Sequence, residues 1–387
     1  MSIATRNRPL GLRRLVAELA AIDRPSASPG ERAAAERIAR ELDEAGAPAR
    51  VEEERAHGGY WWPVGLLNGA AAAAGWWVAR KRTRRALGFA VGAFAAMALA
   101  DDLGGGSMWF RRLFLPHRST WNVVAETGDP GAERTVVFIA HHDAAHSGLV
   151  FHPGLARVDR RSSEGRDRSP PILWATWAGP ALVALGAFAP PLAAAGAIVA
   201  AGASVAMADI GRQRAVPGAN DNLSAVAVIV GLARALQERP VAGKRVLLVS
   251  TGSEESFSEG MRGFARRHFP SLPRDRTEIV CLECVGSRNL HVLDGEGMLR
   301  MRDYPRAARE ALAAAAARAG VEVRRGWRTI AATDALIAVR AGYHVATLAA
   351  IEDTMLPANY HWRTDVEANL DWSTIEDALA VCEAYVR

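Results

Sequence analysis

The stretch PGANDNLSAVAVIVGLARAL, residues 217–236, is the segment on which the interpretation of the chain depends. A glycine-containing loop brings Asn220, Asp221 and Asn222 to the start of a segment in which Ala, Val, Ile and Leu recur with helical spacing. Asp and Asn at such a position often cap the exposed amides of a first helical turn. Capping is the ordinary explanation, so a functional role for Asp221 needs support from other segments.

Acidic and histidine residues end the predicted strands on both sides of this segment. RTVVFIA (134–140) leads into HHDAAHSG (141–148), KRVLLVS (244–250) precedes Glu254-Glu255, and RTEIVCLE (276–283) ends in Glu283. His361 follows near the C-terminus. Strand ends are where an open α/β sheet builds its site. The pattern therefore predicts one site assembled from several loops.

This ordered set resembles the co-catalytic di-zinc peptidase family that contains bacterial leucyl aminopeptidases, glutamate carboxypeptidase and glutaminyl cyclase. The family pattern is His-x-Asp, an Asp in a G-A-x-D-N loop, Glu-Glu, Asp or Glu, and a late His. The matching residues here are His141, Asp143, Asp221, Glu254, Glu255, Glu283 and His361. The resemblance covers about residues 10–56, 119–150 and 215–387.

The resemblance implies two Zn2+ ions that share Asp221 as a bridging ligand. One ion would also bind Glu255 and His361, and the other would also bind His141 and Glu283. Glu254 would be the general base for a metal-bridged hydroxide, and Asp143 would orient His141. Glu283 departs from the Asp that many family members have, which affects the geometry of the second site. A solvated loop is the alternative interpretation of Glu254-Glu255.

Three further residues are predicted to support the ligands or to contact substrate. Asp334 matches an acidic residue that stands near the metals in the family, although it could instead cap a helix together with Thr333. Tyr360 could hydrogen-bond an oxyanion or simply pack beside His361, and Asn222 adjoins Asp221. His142 is expected to point away from His141 on a strand, either in the core or behind the ligands.

Composition excludes several classes of protein. The chain has 387 residues, with 47 basic and 42 acidic side chains and a formal net charge of +5. The basic residues form no stripe interleaved with aromatic residues, so we expect no nucleic-acid partner. Cys281, Cys284 and Cys382 cannot form a disulfide framework, and we interpret them as buried thiols.

Two uncharged blocks interrupt the α/β pattern. The first contains WWPVGLLNGAAAAAGWWVA (61–79), a basic turn at 80–85 and an apolar run at 86–100. The second extends from 171 to 208, with Ala189-Pro190-Pro191 as its turn, after an Arg-rich segment (157–170) that we expect at a membrane surface. Apolar runs with Trp pairs and basic flanks are typical of membrane helices. A buried hairpin in a soluble protein is the alternative.

The sequence therefore predicts a mixed, mostly parallel α/β sheet flanked by helices, the zinc exopeptidase fold, with two inserted transmembrane hairpins. Each insertion has an even number of spans, which keeps the peptidase parts on one side of the membrane. Ser28 and Pro29 are expected to begin one flanking helix. The predicted parts are 1–58 (peptidase), 59–104 (first hairpin), 105–168 (peptidase), 169–210 (second hairpin) and 211–387 (peptidase).

The predicted function is that of a zinc metallopeptidase, an aminopeptidase in the membrane of a bacterium with a peptide substrate. The alternatives are a glutaminyl-cyclase-like acyltransferase and a non-catalytic receptor on the same fold. The distribution of basic residues slightly favours a cytoplasmic catalytic side. Side-chain preference and oligomeric state are open at this point.

Overall fold

A seven-stranded mixed sheet forms the centre of the protein, which is described by a computed structural model over residues 3–80, 82–155 and 173–387. The Arg-rich segment 157–170 lies outside the described residues. The seven strands are β1 (Ala49–Ala56), β2 (Arg118–Gly128), β3 (Arg134–His141), β4 (Lys244–Thr251), β5 (Thr277–Glu283), β6 (Leu290–Val292) and β10 (His344–Ala350). Their order is β1-β2-β4-β3-β5-β10-β6.

The four central strands of this sheet are parallel, and antiparallel pairs lie at both edges. The mixed, mostly parallel α/β sheet predicted from the sequence is thus confirmed. In the register of β3 and β4, His141 lies opposite Thr251. Because the strands are parallel, the loops that follow them emerge at one edge of the sheet.

A second, three-stranded sheet lies beside the first and was not predicted. Its strands are β7 (Gly295–Glu296), β8 (Arg302–Asp303) and β9 (Arg328–Thr329), in the order β8-β7-β9. These strands are only two residues long, so they lack the periodicity that reveals a strand in a sequence.

Helices cover both faces of the main sheet. One face is covered by α1 (Ile3–Ala20), α2 (Pro29–Glu44), α8 (Ser224–Glu238), α10 (Arg306–Ala319) and α12 (Trp372–Val386). The other face is covered by α9 (Glu259–His268) and α11 (Ala335–Arg340). The Ser28 hydroxyl accepts a hydrogen bond from the Glu31 amide at 3.1 Å, so the predicted start of α2 is confirmed.

The remaining helices form a separate bundle, which we call the helix unit. It consists of α3 (Trp61–Arg80), α4 (Arg85–Leu103), α6 (Trp174–Leu185) and α7 (Pro190–Arg212), and short α5 (Trp109–Phe114) follows α4. Small residues allow its helices to approach closely: a Cβ on Gly179 would lie 2.7 Å from the Ala200 amide nitrogen. Such contacts between small residues are typical of helices that pack in membranes.

The outward surface of the helix unit is apolar. Among the described residues, its exposed large side chains include Trp62, Leu66, Trp76, Trp77, Leu87, Phe89, Phe94, Met97, Trp174, Trp177, Leu185, Ile198 and Val205. By length and composition, two of its helices, Arg85–Leu103 and Pro190–Arg212, are suited to cross a membrane. This is weak evidence for a membrane protein, and α6 has only 12 residues, fewer than a full span needs.

Candidate metal centre

The residues predicted to bind metal converge at the loop-bearing edge of the main sheet. His141 and Glu283 are the last residues of β3 and β5, and Glu254-Glu255 follow β4. His361 comes from the loop between β10 and α12. Asp221 lies in an irregular turn immediately before α8, and both Asp221 and Asn222 have non-helical backbone angles there.

Asp221 stands between the two histidines. One carboxylate oxygen, Oδ1, lies 3.1 Å from Nε2 of His141, and the other, Oδ2, lies 3.3 Å from Nε2 of His361. Asp221 is buried, and its side chain makes no capping hydrogen bond to the first turn of α8. The capping role considered from the sequence is therefore not the one that its side chain has.

Each histidine faces a further carboxylate. Glu255 Oε2 lies 3.3 Å from Nε2 of His361, and Glu283 Oε1 lies 3.6 Å from Nε2 of His141. The distances thus group Glu255 with His361 and Glu283 with His141, as in the two ligand sets that the resemblance implied. Glu254 is farther away, with Oε2 at 3.9 Å from Nε2 of His141.

The donor atoms suit zinc, which binds histidine nitrogen and carboxylate oxygen. The described residues offer no hydrogen-bond partner to buried Glu255 Oε1 or to buried Glu283 Oε2. Candidate ligand atoms of His141, Asp221 and Glu255 lie within 4.8 Å of one another, and so do those of Asp221, Glu283 and Cys284. Several buried carboxylates with unpaired oxygens need cations to offset the cost of burial.

Burial and neighbouring charges act against each other at these side chains. Burial alone would lower the pKa of His141, but hydrogen bonds with Asp143 and Asp221 raise it well above its ordinary value. Burial would also lower the pKa of His361, yet Glu255 and Asp221 raise it to about 10. Burial raises the pKa of Glu254, with a smaller contribution from Glu283. The centre therefore holds a surplus of negative groups over positive ones.

Asp143 connects the first histidine to the Glu254-Glu255 loop. Its Oδ1 lies 3.3 Å from Nδ1 of His141, and Oδ1 and Oδ2 accept hydrogen bonds from the amides of Glu254 (3.0 Å) and Glu255 (3.1 Å). The hydroxyl of Ser26 donates to Oδ2 at 2.6 Å. The Asp143 carboxylate therefore orients His141, a predicted ligand, and fixes the backbone of Glu254 and Glu255.

The other predicted residues lie close to the centre. Asn222 donates to the Leu282 carbonyl and accepts from the Cys284 amide, both at 2.9 Å, so it fixes the backbone on either side of Glu283. Tyr360 stacks on His361 with ring centroids 3.9 Å apart.

Asp334 does not cap α11 with its side chain, because the Ala335 amide donates instead to the Thr333 hydroxyl at 3.2 Å. Its carboxylate accepts from the Thr251 hydroxyl, and burial raises its pKa to about 7. His142 is buried and contacts the Ser250 hydroxyl at 2.9 Å, away from the centre. The three cysteines are buried and unpaired, although Cys284 adjoins the predicted ligands.

Sequence reasoning missed two residues that hold the Asp221 turn. Asp365 accepts hydrogen bonds from the amides of Asn220 (2.7 Å) and Asp221 (3.1 Å). Arg24, which is fully buried, donates to the carbonyls of His142 (2.7 Å), Pro217 (2.6 Å) and Gly218 (2.8 Å). Both residues lie in irregular loops without a periodic pattern, so the sequence carries no signal for their roles.

A cavity of about 350 Å³ adjoins the centre. Its polar end is lined by Asp221, Glu254, Glu255, Glu283 and His361. The rest is largely apolar and includes Phe257, Trp327, Ile330, Ala206 and Met207. The last two belong to α7, so the helix unit supplies one wall of the cavity.

Comparison with known proteins finds one family model and several solved structures that are similar to this chain. Residues 203–386 match the family model described as peptidase family M28. An aminopeptidase from Aneurinibacillus sp. strain AM-1 is 12% identical with a TM-score of 0.55, and the match covers 99% of this chain and 94% of that chain. A glutaminyl cyclase from Tannerella forsythia is 14% identical with a TM-score of 0.57, covering 98% and 97%.

BSAP, a zinc aminopeptidase from Bacillus subtilis, is 14% identical with a TM-score of 0.55, and 98% of this chain and 94% of that chain are covered. A search of curated proteins finds no match. The matched family model is one of peptidases, and the shared fold is that of the aminopeptidases and the glutaminyl cyclase named above. The resemblance predicted from the sequence is thereby confirmed: this chain carries a match to peptidase family M28 on the fold of zinc aminopeptidases and glutaminyl cyclases.

Proposed function

We propose that the protein is a di-zinc aminopeptidase anchored in a membrane by its helix unit. The observation that carries this proposal is the position of Asp221, whose two oxygens face different histidines at 3.1 and 3.3 Å. Each histidine is paired with its own glutamate, so the side chains offer two ligand sets with one shared carboxylate. A site for a single ion would not need both sets.

Asp221, Glu255 and His361 would hold one zinc ion, and Asp221, His141 and Glu283 would hold the other. Zinc bound there would polarise the scissile carbonyl and make a bound water more acidic. Cys284 lies beside the second set, and its thiol contacts Glu283 Oε1 at 3.3 Å. We expect it to remain a neutral buried thiol, because burial raises its pKa well above the ordinary value.

Glu254 is left for proton transfer. Of the four carboxylates that line the cavity, it lies farthest from its nearest histidine, at 3.9 Å from His141. Its amide is fixed by Asp143, which keeps the side chain at the edge of the cavity where substrate would lie. Glu254 would take the proton of the attacking water and deliver it to the departing amine.

The membrane part of the proposal rests on the surface of the helix unit. Three of its exposed tryptophans lie near the two ends of α3, and Arg80 and Arg84 stack over Trp76 and Trp77 at 4.3 and 5.1 Å. Tryptophan and arginine at helix ends are typical of the interface between lipid and water. A bacterial plasma membrane with the catalytic side in the cytoplasm stays a prediction.

The function is tested on the full chain purified in detergent. We expect about two equivalents of zinc by elemental analysis, and hydrolysis of leucine 4-nitroanilide without cyclisation of peptides that begin with glutamine. Glu254→Gln should keep the zinc and lower kcat by ~10²-fold or more, the usual contribution of a general base. Glu255→Gln is the matched control and should lose zinc.

Cyclisation with one zinc equivalent would support the glutaminyl cyclase alternative instead. Zinc retained in Glu255→Gln but lost in Glu254→Gln would reverse the two roles. For the anchor, we expect the protein to stay in the membrane fraction through alkaline carbonate washing. Recovery of the full chain in the soluble fraction without detergent would contradict membrane insertion.

A further inference from the structure

The cavity next to the metal centre crosses the boundary between the α/β domain and the helix unit. Its walls include Tyr60 just before α3, Leu173 and Ala175 at the start of α6, and Gly202 and Ala206 on α7. The predicted metal ligands are at its other end. The same space is therefore continuous from the reacting centre to the bundle of apolar helices.

Gly202 and Ala175 place the end of this cavity at the outer surface of the helix unit. Both residues line the cavity, and both are also exposed. A Cβ added to Gly202 would meet no atom of the described residues within 4 Å, unlike one on Gly179, which is packed against α7. We call this exposed part of the cavity wall, formed by Ala175 of α6 and Gly202 of α7, the side opening.

The surface around the side opening is apolar. Ile198 and Val205 lie one helical turn to either side of Gly202 on the same face of α7, and they are 71% and 70% exposed. The nearest charged residue along α7 is Asp209, seven positions away or about 10 Å along the helix axis. Among the described residues of this face, a strongly polar chain leaving through the opening would meet mainly hydrocarbon side chains.

We infer that the substrates are lipophilic peptides, whose apolar segment after the scissile bond passes out through the side opening. This inference rests on the proposed aminopeptidase function. An enzyme that removes one N-terminal residue needs room for one side chain on the acyl side of the bond. A longer portion of the substrate must therefore lie on the amine side, and the side opening gives that portion an apolar exit.

The test uses two peptide amides with the same bond to be cleaved and opposite tails. They are Leu-Ala-Leu-Leu-Leu-Leu-amide and Leu-Ala-Ser-Ser-Ser-Ser-amide, each supplied with the zinc-loaded full chain in mixed detergent and lipid micelles. Loss of the intact peptide, followed by mass spectrometry, gives kcat/KM for each. The quantity compared between variants is the ratio of kcat/KM for the Leu-tailed peptide to that for the Ser-tailed peptide.

We expect the wild-type protein to prefer the Leu-tailed peptide. Gly202→Leu should lower the ratio roughly 10-fold or more, because the added side chain would fill the space that the apolar tail of the substrate needs. Ala201→Leu is the matched control: Ala201 is exposed on the same helix but does not line the cavity, so its ratio should equal that of the wild type. Ala175→Leu narrows the opening from the other helix and replaces Gly202→Leu if that variant fails to fold.

A wild-type preference for the Ser-tailed peptide, or a ratio unchanged in both Gly202→Leu and Ala175→Leu, would overturn the inference while leaving the aminopeptidase function intact. Cleavage of neither peptide by zinc-loaded wild-type protein would instead count against the proposed function itself. The two failures are therefore distinguishable in one set of measurements.

Discussion

Helices α7 and α8 have similar apolar compositions but different surroundings. In α8, 12 of 15 residues are buried, and the helix lies between the main sheet and the helices α1 and α12. In α7, only 7 of 23 residues are buried, and most of these are Ala or Gly. The bulky residues of α7, such as Ile198 and Val205, point outward. Hydropathy alone describes both helices as apolar, whereas the fraction of their residues that is buried differs.

This difference is what we expect if the proposed membrane anchor is right and the two helices face different solvents. A soluble protein directs its large apolar side chains inward, as α8 does, because burial removes them from water. The helix unit buries some large residues too, such as Leu67 and Leu99, but small residues stand at its closest helix contacts and many large apolar side chains are exposed. This is the pattern expected in lipid. The central parts of its helices also contain no ionisable side chain. The contrast is the physical argument for the proposed membrane anchor.

An arginine placed on each helix should give the largest difference between the two regions. Ile229→Arg would bury an unpaired charge at a site with no exposure, and we expect no folded protein. Ile198→Arg on α7 should fold in detergent but insert less well, at a cost of ~2.5–3.5 kcal/mol near the centre of a bilayer. Thermal unfolding in detergent measures whether each variant folds, and membrane fractionation measures how well it inserts. Unimpaired insertion and improved solubility of Ile198→Arg would mean that α7 faces water.

A buried arginine is one of the contacts that link the two regions. Arg111, in α5, donates to Asp102 Oδ2 of α4 at 2.7 Å, and it also donates to the carbonyl (3.0 Å) and hydroxyl (2.9 Å) of Ser256, next to Glu255. Arg111→Met would leave Asp102 buried without its partner, so we expect a loss of ~3–5 kcal/mol in the free energy of unfolding.

Arg112→Met is the control for this prediction, since Arg112 is exposed on the same short helix. Thermal unfolding in detergent should show a change within ~0.5 kcal/mol for it. Equal stability of the two variants would show that the Arg111 network does not join the helix unit to the loop that bears Glu254 and Glu255.

Much of the fold could be predicted because it follows from periodicity. The strand segments 134–140, 244–250 and 276–283 lie within one residue of the bounds of β3, β4 and β5, and the segment with helical spacing after Asn222 forms α8. They could be predicted because strands and helices have distinct apolar spacings. The length of α6 could not be predicted. The apolar run continues to Phe188, but the helix ends at Leu185 and a turn follows. Composition does not record where a continuous apolar run stops being helical.

The candidate site was predictable only at the level of motifs. His141, Asp221, Glu255, Glu283 and His361 were found because they follow strands or match an ordered pattern. Their supports were not found in the same way. Asp365 and Arg24 hold backbone groups of the Asp221 turn, and Asp143 holds the Glu254 and Glu255 amides in addition to its predicted contact with His141. Such contacts depend on loop conformation, which has no period in the sequence.

A third prediction concerns the pH dependence of the stability of the α/β domain. Glu296 of β7 is fully buried, and its Oε2 accepts from the Thr333 amide at 2.6 Å. Burial raises its pKa from 4.5 to about 8. Because the folded pKa exceeds the unfolded one, the carboxyl group is best tolerated below about pH 4.5, and stability falls as the pH rises towards about 8.

Glu296→Gln should remove this dependence. Between pH 6 and pH 8, the free energy of unfolding of the wild type relative to the variant should fall by at most ~1.4 kcal/mol per pH unit. Chemical denaturation at several pH values measures this slope. Glu133→Gln, at a side chain that is 79% exposed, is the control and should leave the slope unchanged. A slope equal to that of the wild type in Glu296→Gln would place the pH dependence elsewhere.

The smallest predicted effect concerns the first turn of one helix from each region, α2 of the α/β domain and α7 of the helix unit. In α2, the Ser28 hydroxyl accepts from the Glu31 amide, and loss of this cap in Ser28→Ala should cost ~1 kcal/mol. The start of α7 is different, because Pro190 and Pro191 have no amide hydrogen and the Leu192 amide already donates to the Ala189 carbonyl at 2.9 Å. A hydroxyl at 189 would find no free donor in that turn, so Ala189→Ser should change stability by less than ~0.5 kcal/mol. Equilibrium unfolding of both variants in detergent measures the pair. A gain of ~1 kcal/mol for Ala189→Ser would show that the turn between α6 and α7 leaves amides open to a cap, as helix starts in water do.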